Sequence, residues 1–227
     1  MIAIIEMPGK KRRIPHNYIN WVESADMTPV SIPYDLSKKD LLTCLEKVQG
    51  VLWTGGAIER SKYDDVRSQY IDTLYTTFEV AKRYNDAGRH YPIFGICQGF
   101  ELLVLFRNGK NSDIRSLPKY EADENTPITF TGPSSLRDWF STIDTTMPCS
   151  TQHHVYGFDI KPMDGIRILS TQDKYVNIIE YKEYPFYGVH FHPERPFDAV
   201  SAKVSLHLAL FLRQGLHPYN PAGASPL

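Results

Sequence analysis

Short apolar segments alternate with longer amphipathic segments over the first half of the chain. Apolar runs of strand length lie at residues 2–5, 28–32, 50–53 and 91–96. Each is followed by a segment in which apolar residues recur at helical spacing. An order of strand, helix, strand and helix repeated in this way predicts a parallel sheet with helices on both faces. We therefore expect an α/β fold, a doubly wound three-layer sandwich with a mainly parallel central sheet.

The regular alternation stops in the second half, between residues 108 and 150. This segment is rich in Gly, Pro, Asn and Asp turn signals and contains one strand candidate at 128–130. Because loops of this length are usually functional, we expect an insertion or cover near the site. The strand-like runs that resume afterwards lie at residues 158–160, 166–170, 176–181 and 186–191.

A last helix is predicted over residues 197–212. The residues after it are rich in Pro, Gly and Ala, which is typical of a loosely held terminus. We therefore expect one domain over residues 1–214 and a flexible tail over residues 215–227.

The fourth predicted strand ends in the motif Gly95-Ile96-Cys97-Gln98-Gly99, which is the pattern of a nucleophile elbow. A sharp turn from strand to helix strains its central residue, and the two glycines leave room for that turn. The Cys97 sulfur would then lie at the positive end of a helix, where the pKa of a thiol is lowered and the thiolate is favoured. The N–H of Gln98 would face a developing oxyanion. For so short a motif the alternative is a buried structural cysteine between two incidental glycines.

Other polar groups follow neighbouring strands of the predicted sheet. Gly55 and Gly56 end the third strand, and His192 and Glu194 come just after the last strand. Active crevices of such sheets lie at the carboxyl ends of the strands, so these residues could share a crevice with Cys97. A thiolate nucleophile needs an imidazole to take its proton, and the imidazole needs a carboxylate to orient it. The alternative for a single loop histidine is a solvated side chain.

The amino-acid composition and net charge limit the classes of protein to which the chain can belong. An apolar fraction of 42% and a charged fraction of 22% over 227 residues are typical of a globular protein. A net charge of −1 gives no indication of nucleic acid or an anionic membrane as partner. No apolar run approaches the roughly 20 residues of a membrane span.

Cysteine usage and the N-terminal residues bear on the compartment. The three cysteines, Cys44, Cys97 and Cys149, are odd in number and lack metal-ligand spacing, so we expect neither a disulfide framework nor a metal site. The first residues lack the pattern of a signal peptide, and no glycosylation acceptor is present. We expect a cytoplasmic protein as the sequence stands, or a lysosomal or secreted one if a signal has been removed.

Several of these segments, in order along the chain, resemble the γ-glutamyl hydrolase (folylpolyglutamate hydrolase) family. That family belongs to the class I glutamine amidotransferase-like fold, which is flavodoxin-like. The segments are YINWVESA at 18–25, GVLWTGG at 50–56, YPIFGICQGFELL at 91–103, TFTG at 129–132 and YPFYGVHFHPE at 184–194.

The resemblance assigns catalytic roles residue by residue. It implies that Cys97 is the nucleophile, that His192 is the general base and acid, and that Glu194 orients the imidazole. The backbone N–H groups of Gly56 and Gln98 would form the oxyanion hole.

It also implies a substrate-binding set of Gly55, Glu101 and His154. Glu101 lies one helical turn beyond Cys97, where it would bind the substrate's α-amino group or favour the first turn of the helix. His154 fits the family's histidine near the substrate better than His153. The alternative for that pair is a surface doublet.

The implied activity is hydrolysis of γ-glutamyl amide bonds through a thioester on Cys97, without a cofactor. The implied substrates are small molecules, namely poly-γ-glutamylated folates or other γ-glutamyl peptides, and the family suggests a homodimer. One alternative is a glutaminase subunit that delivers ammonia to a partner synthase. Another is an inactive binding protein, against which the intact Cys97, His192 and Glu194 argue.

Overall fold

The structure is a computed structural model, and it describes residues 1–8, 14–56, 63–110 and 114–216. The strands of this part are β1 (Ile2–Ile5), β2 (Pro29–Ile32), β3 (Val51–Trp53), β4 (Ile93–Ile96), β5 (Lys119–Thr126), β6 (Thr129–Phe130), β7 (Ser150–Tyr156), β8 (Ile166–Gln172), β9 (Tyr175–Tyr181) and β10 (Phe186–Val189). The helices are α1 (His16–Glu23), α2 (Lys38–Glu46), α3 (Tyr63–Asp86), α4 (Gln98–Phe106), α5 (Ser135–Trp139) and α6 (Ala199–Leu216).

A main sheet of eight strands has the order β2-β1-β3-β4-β10-β9-β8-β6. The pairings from β2 to β10 are parallel, and those from β10 to β6 are antiparallel. Strands β5 and β7 form a separate antiparallel ribbon. The predicted α/β fold with a mainly parallel central sheet is thereby confirmed.

The register of the parallel strands aligns the ends at which the candidate residues lie. Trp53, the last residue of β3, pairs with Gly95 of β4, and Val189, the last residue of β10, pairs with Ile96. Because parallel strands point the same way, the residues that follow β3, β4 and β10 emerge at one edge of the sheet.

Each face of the sheet carries its own apolar core, since successive strand residues point to opposite faces. Ala3 and Ile5 lie in a core with buried residues of α2, α3 and α4. Ile2 and Ile4 lie in a second core with buried residues of α1 and α6. The helices therefore cover both faces, which gives the three layers expected.

Local signals in the sequence account for several helix boundaries. Ser37 caps α2, because its side chain accepts a hydrogen bond of 3.1 Å from the backbone N–H of Asp40. Gly88 follows α3 with a φ of +79°, a left-handed conformation that favours glycine.

The antiparallel side departs from the sequence predictions. The strand predicted at 158–160 is wrong, because only an isolated bridge from Asp159 to Tyr175 forms there. Strands β5 and β7 were not predicted. Helix α6 continues through Gly215 and Leu216, the first two residues of the expected tail, while residues 217–227 lie outside the described part.

Candidate active site

Cys97 occupies the sharp turn between β4 and α4. Its φ of 50° and ψ of −108° lie outside the conformations ordinary for a residue with a side chain. A Cβ atom on Gly95 would lie 2.7 Å from the backbone of Gly99, and one on Gly99 would lie 2.3 Å from the carbonyl oxygen of Trp53. Neither position has space for a side chain. The two glycines therefore permit the turn that the motif predicts.

His192 and Glu194 form a buried pair just after β10. The Nδ1 atom of His192 lies 2.7 Å from Oε1 of Glu194. Asn17, in α1, donates to the same carboxylate oxygen at 3.4 Å. The backbone N–H of His192 donates to the carbonyl of Thr151 at 2.8 Å, which ties this segment to β7. The carboxylate thus fixes the orientation of the imidazole and directs Nε2 away from Glu194.

The sulfur and the imidazole lie against the same two groups. The carbonyl oxygen of His153 lies 3.7 Å from the Cys97 sulfur and 3.4 Å from Nε2 of His192. A Cβ atom on Gly55 would lie 2.8 Å from Cε1 of His192 and 3.0 Å from Cβ of Cys97. The structure thus brings Cys97, His192, Glu194 and Gly55 together at one edge of the sheet.

Burial dominates the electrostatics of the thiol. It raises the pKa of Cys97 far above its usual value, and the nearby carboxyls of Glu101 and Glu194 raise that pKa further. The backbone N–H of Gln98 and the charge of Arg195 oppose this rise without cancelling it. The lowered thiol pKa expected from the helix terminus alone is therefore wrong in direction.

The predicted oxyanion residues flank the elbow. Gln98 is the first residue of α4, and its N–H contacts the Cys97 sulfur. The N–H of Gly55 is already used, because it donates to the hydroxyl of Tyr18 at 3.0 Å. Gly56 is exposed beside Met7. The oxyanion role of Gly56 and Gln98 stays a prediction.

A second polar cluster lies behind the sulfur. Glu101 and His154 are both buried there, whereas the neighbouring His153 is exposed and pairs with Asp123. Burial raises the pKa of Glu101 to about 8. Burial, together with the neighbouring histidines His190 and His192, lowers the pKa of His154 well below its usual value. Because His154 lies in a strand, its side chain points inward while that of His153 points outward.

Three contributors to the site were not identified as such from the sequence. Tyr18 and Asn17 both contact Glu194. The hydroxyl of Tyr18 has a pKa raised well above its usual value, chiefly by burial and then by the negative charge of Glu194. The third contributor is the carbonyl of His153.

In the part of the chain that the structure describes, no three His, Cys, Asp or Glu side chains are grouped as metal ligands. None of the described helices combines the length and the apolar character required to cross a membrane.

A model of the peptidase C26 family matches residues 6–194 of the chain, a span that contains Cys97, His192 and Glu194. The chain belongs to the peptidase C26 family. This match and the γ-glutamyl hydrolase relatives described next confirm the family predicted from the sequence.

Two relatives of the chain are named as γ-glutamyl hydrolases. The chain is 29% identical to γ-glutamyl hydrolase 1 of Arabidopsis thaliana over 234 residues, which cover 88% of this chain and 63% of the relative. It is 24% identical to human γ-glutamyl hydrolase over 204 residues, which cover 82% of this chain and 62% of the relative. The chain thus spans about three-fifths of the length of these relatives.

Solved structures share the fold at low sequence identity. A protein from Thermoplasma acidophilum, described as a candidate GMP synthase component, superposes with a TM-score of 0.64 at 16% identity, covering 94% of this chain and 96% of its own. PurLQS from Thermotoga maritima gives a TM-score of 0.61 at 11% identity, with coverages of 94% and 98%. At these identities the likeness shows the fold alone.

Proposed function

We propose that this member of the peptidase C26 family is a cysteine hydrolase that cleaves γ-glutamyl amide bonds. The observation that carries the proposal is the buried pair of His192 and Glu194, joined at 2.7 Å, beside the cysteine of a strained elbow. Membership of the family supports this reading, and so do the names of the relatives. The arrangement contains a nucleophile, a base and an orienting carboxylate, which acyl transfer through a thioester requires.

In the first half of the reaction, the Cys97 sulfur attacks the γ-carbonyl carbon while His192 takes the thiol proton. The carbonyl becomes an oxyanion, which the N–H groups of Gln98 and Gly56 would stabilise. The ring of His192 faces an acceptor at each nitrogen, Glu194 on one side and the carbonyl of His153 on the other. The imidazolium formed at this stage therefore keeps two hydrogen bonds.

His192 then gives its proton to the leaving nitrogen, the carbon–nitrogen bond breaks, and a γ-glutamyl thioester remains on Cys97. Water attacks that thioester while His192 takes a proton from the water. Collapse of the second tetrahedral intermediate breaks the carbon–sulfur bond, returns the proton from His192 to the sulfur, and frees the γ-carboxyl group, which loses its remaining proton to solvent. No cofactor is needed in this sequence of steps.

The substrates we propose are small molecules with a γ-linked glutamate, namely poly-γ-glutamylated folates or other γ-glutamyl peptides. Glu101 and His154 are buried in the same region of the site and would contact the glutamyl group. A carboxylate is suited to the free α-ammonium group of a γ-glutamyl peptide, whereas in a poly-γ-glutamylated folate the same nitrogen is an amide N–H, from which the carboxylate could accept a hydrogen bond. The homodimer suggested by the family stays a prediction, which sedimentation of the purified chain would test.

A direct test is hydrolysis of γ-glutamylglutamate by the wild type, by Cys97→Ala and by Cys44→Ala. Cys44 lies in α2 and is the matched control, since that helix follows β2, away from the elbow. We expect activity in the wild type and the control, and a loss of several orders of magnitude in Cys97→Ala. Equal activity in all three proteins would rule out this nucleophile.

The same assay separates the proposal from the glutaminase alternative. Release of ammonia from free glutamine, without cleavage of γ-glutamyl peptides, would favour a glutaminase that serves a synthase. The solved structures share only their fold with this chain, so they favour neither activity.

A further inference from the structure

His190 is fully buried and lies two residues before His192, although neither the sequence nor the mechanism gives it a task. Its backbone N–H donates to the carbonyl of Asn177, in β9, at 2.8 Å. Its side chain lies within the cluster that contains Glu101 and His154.

One nitrogen of His190 contacts Glu101. The Nε2 atom lies 3.4 Å from Oε1 of the carboxyl group, and both side chains are almost wholly buried. Among the described residues, His190 is the side chain within hydrogen-bonding distance of Glu101. Since Glu101 follows Cys97 by one helical turn, this contact sets where the carboxyl group stands relative to the sulfur.

The flat face of the same ring contacts His154. The two imidazoles stack with centroids 3.7 Å apart and an angle of 17° between their planes. Phe100 also stacks on His190, at 4.8 Å, and the ring of Tyr175 meets both histidines edge-on. A Cβ atom on Gly157 would lie only 3.2 Å from the ring. His190 therefore has little freedom to turn, and it holds Glu101 and His154 in fixed relative positions.

His190 adds a hydrogen bond to Glu101 without adding a positive charge. Burial, and to a smaller degree His192, lowers the pKa of His190 to about 3, so the ring is neutral near pH 7. Burial holds Glu101 protonated at neutral pH in the free protein, and an ammonium group bound beside it would favour the carboxylate, to which a neutral imidazole can still donate. A charged ring at the same place would repel an ammonium group.

We propose that His190 is a positioning residue that aligns Glu101 and His154 to recognise the free α-amino group of an N-terminal γ-glutamyl group, as in γ-glutamyl peptides. This inference rests on the proposed function and deepens it. His190 acts through its neighbours, so its loss changes which acyl groups are accepted more than it changes the bond-breaking steps.

Two variants separate the stacking of the His190 ring on His154 from its contact with Glu101. His190→Phe keeps a flat ring against His154 but loses the nitrogen that contacts Glu101. His190→Gln loses the ring but keeps an N–H donor of similar reach. His207→Phe, on α6 and half-buried, is the control for replacing a histidine by phenylalanine elsewhere.

The readout compares γ-glutamyl p-nitroanilide with glutaryl p-nitroanilide, which lacks only the α-amino group. We expect His190→Phe to lower the ratio of the two kcat/KM values by about tenfold or more, mainly through KM for the γ-glutamyl substrate. His190→Gln should retain most of the ratio, and His207→Phe should retain all of it. Glu101→Gln should lower the ratio as far as His190→Phe does, and the double variant should lower it little further, because the two residues act as one unit.

The inference would be overturned if His190→Phe kept the wild-type ratio of the two kcat/KM values. It would also be overturned if His190→Phe lowered kcat/KM equally for both substrates. Wild-type protein that cleaves neither anilide would instead overturn the proposed function, which keeps the two failures distinct. If the Phe variant does not fold, as its melting temperature and circular dichroism report, His190→Met fills a similar volume without a nitrogen and is expected to show the same fall in the ratio.

Discussion

The parallel half of the main sheet and the separate antiparallel ribbon of β5 and β7 supply different parts of the candidate site. In the parallel half, segments that follow β3, β4 and β10 provide Gly55, Cys97, His192 and Glu194. On the antiparallel side, the ribbon of β5 and β7 provides the His153 carbonyl and the buried side chain of His154. The first set comes from turns at strand ends, and the second comes from within a strand.

The two sets are held in place by different means. Cys97 is fixed by backbone geometry, since the elbow, its glycines and the start of α4 are consecutive in the chain. The ribbon is fixed by a buried side-chain network, in which Gln152 donates to Thr126 of β5 at 3.1 Å and to Asn177 of β9 at 3.2 Å. Substitutions on the parallel side should therefore affect chemistry first, and those on the ribbon should affect stability first.

The largest effect should follow removal of the imidazole. His192→Ala leaves no group to take the thiol proton, so we expect kcat on γ-glutamylglutamate to fall about 10³–10⁴-fold. Glu194→Gln should lower kcat by a comparable or smaller factor because the amide can select the wrong tautomer. Steady-state kinetics, with melting temperatures as the control for folding, would check both. A tenfold effect or less would mean that the pair does not act as base and orienting group.

A second test places a methyl group between the Cys97 sulfur and the His192 imidazole. In Gly55→Ala the new methyl group would lie 2.8 Å from both the His192 ring and the Tyr18 hydroxyl, so the groups must move apart. We expect kcat to fall about 10²-fold, since catalysis depends on close alignment of the reacting groups. Gly132→Ala is the control, because its Cβ would meet nothing within 4 Å. Equal kinetics for the two variants would contradict the close approach at Gly55.

On the ribbon side, Gln152→Leu should act on stability. It removes the donor to the buried side-chain oxygen of Asn177, while Thr126 keeps Ser150 as a partner, and such an unsatisfied buried group typically costs about 1–3 kcal/mol of unfolding free energy. Urea denaturation would measure this loss, with half-buried Gln172→Leu in β8 as the control. A fall in kcat with an unchanged free energy of unfolding would contradict the expectation that substitutions on the ribbon affect stability first.

A fourth prediction concerns the pH dependence of stability at Glu101. Burial raises its folded-state pKa to about 8, whereas the unfolded chain loses this proton near pH 4.3. Between these values the folded state holds the proton and the unfolded state does not, so the contribution of Glu101 to stability falls as pH rises. Glu101→Gln should therefore gain melting temperature relative to the wild type from pH 5 to pH 8. A constant difference across this window would contradict the raised pKa.

The parallel half could be predicted from the sequence because its signals are local. A run such as Ile2–Ile5, the cap at Ser37 and the glycines around Cys97 each determine structure within a few residues. Parallel strands also share one edge at their ends, so residues 97 and 192 could be expected in the same crevice without knowledge of long-range contacts.

The ribbon could not be predicted in the same way. Ser150–Tyr156 is polar at most positions, and its inward residues include Gln152 and His154, so the usual alternation of apolar and polar residues is absent. Its strand exists through pairing with β5 and through the buried network. The raised thiol pKa was missed for a related reason, since burial and the carboxyls of Glu101 and Glu194 act through contacts distant in the chain.

The most direct measurement of the central claim is the mass of the protein during turnover. We predict that acid quenching of wild-type protein with excess γ-glutamyl substrate captures a species heavier by one γ-glutamyl group, and that peptide mapping places this group on Cys97. His192→Ala should accumulate far less of it. Turnover with no such adduct at any quench time, or with an adduct on another residue, would contradict the account.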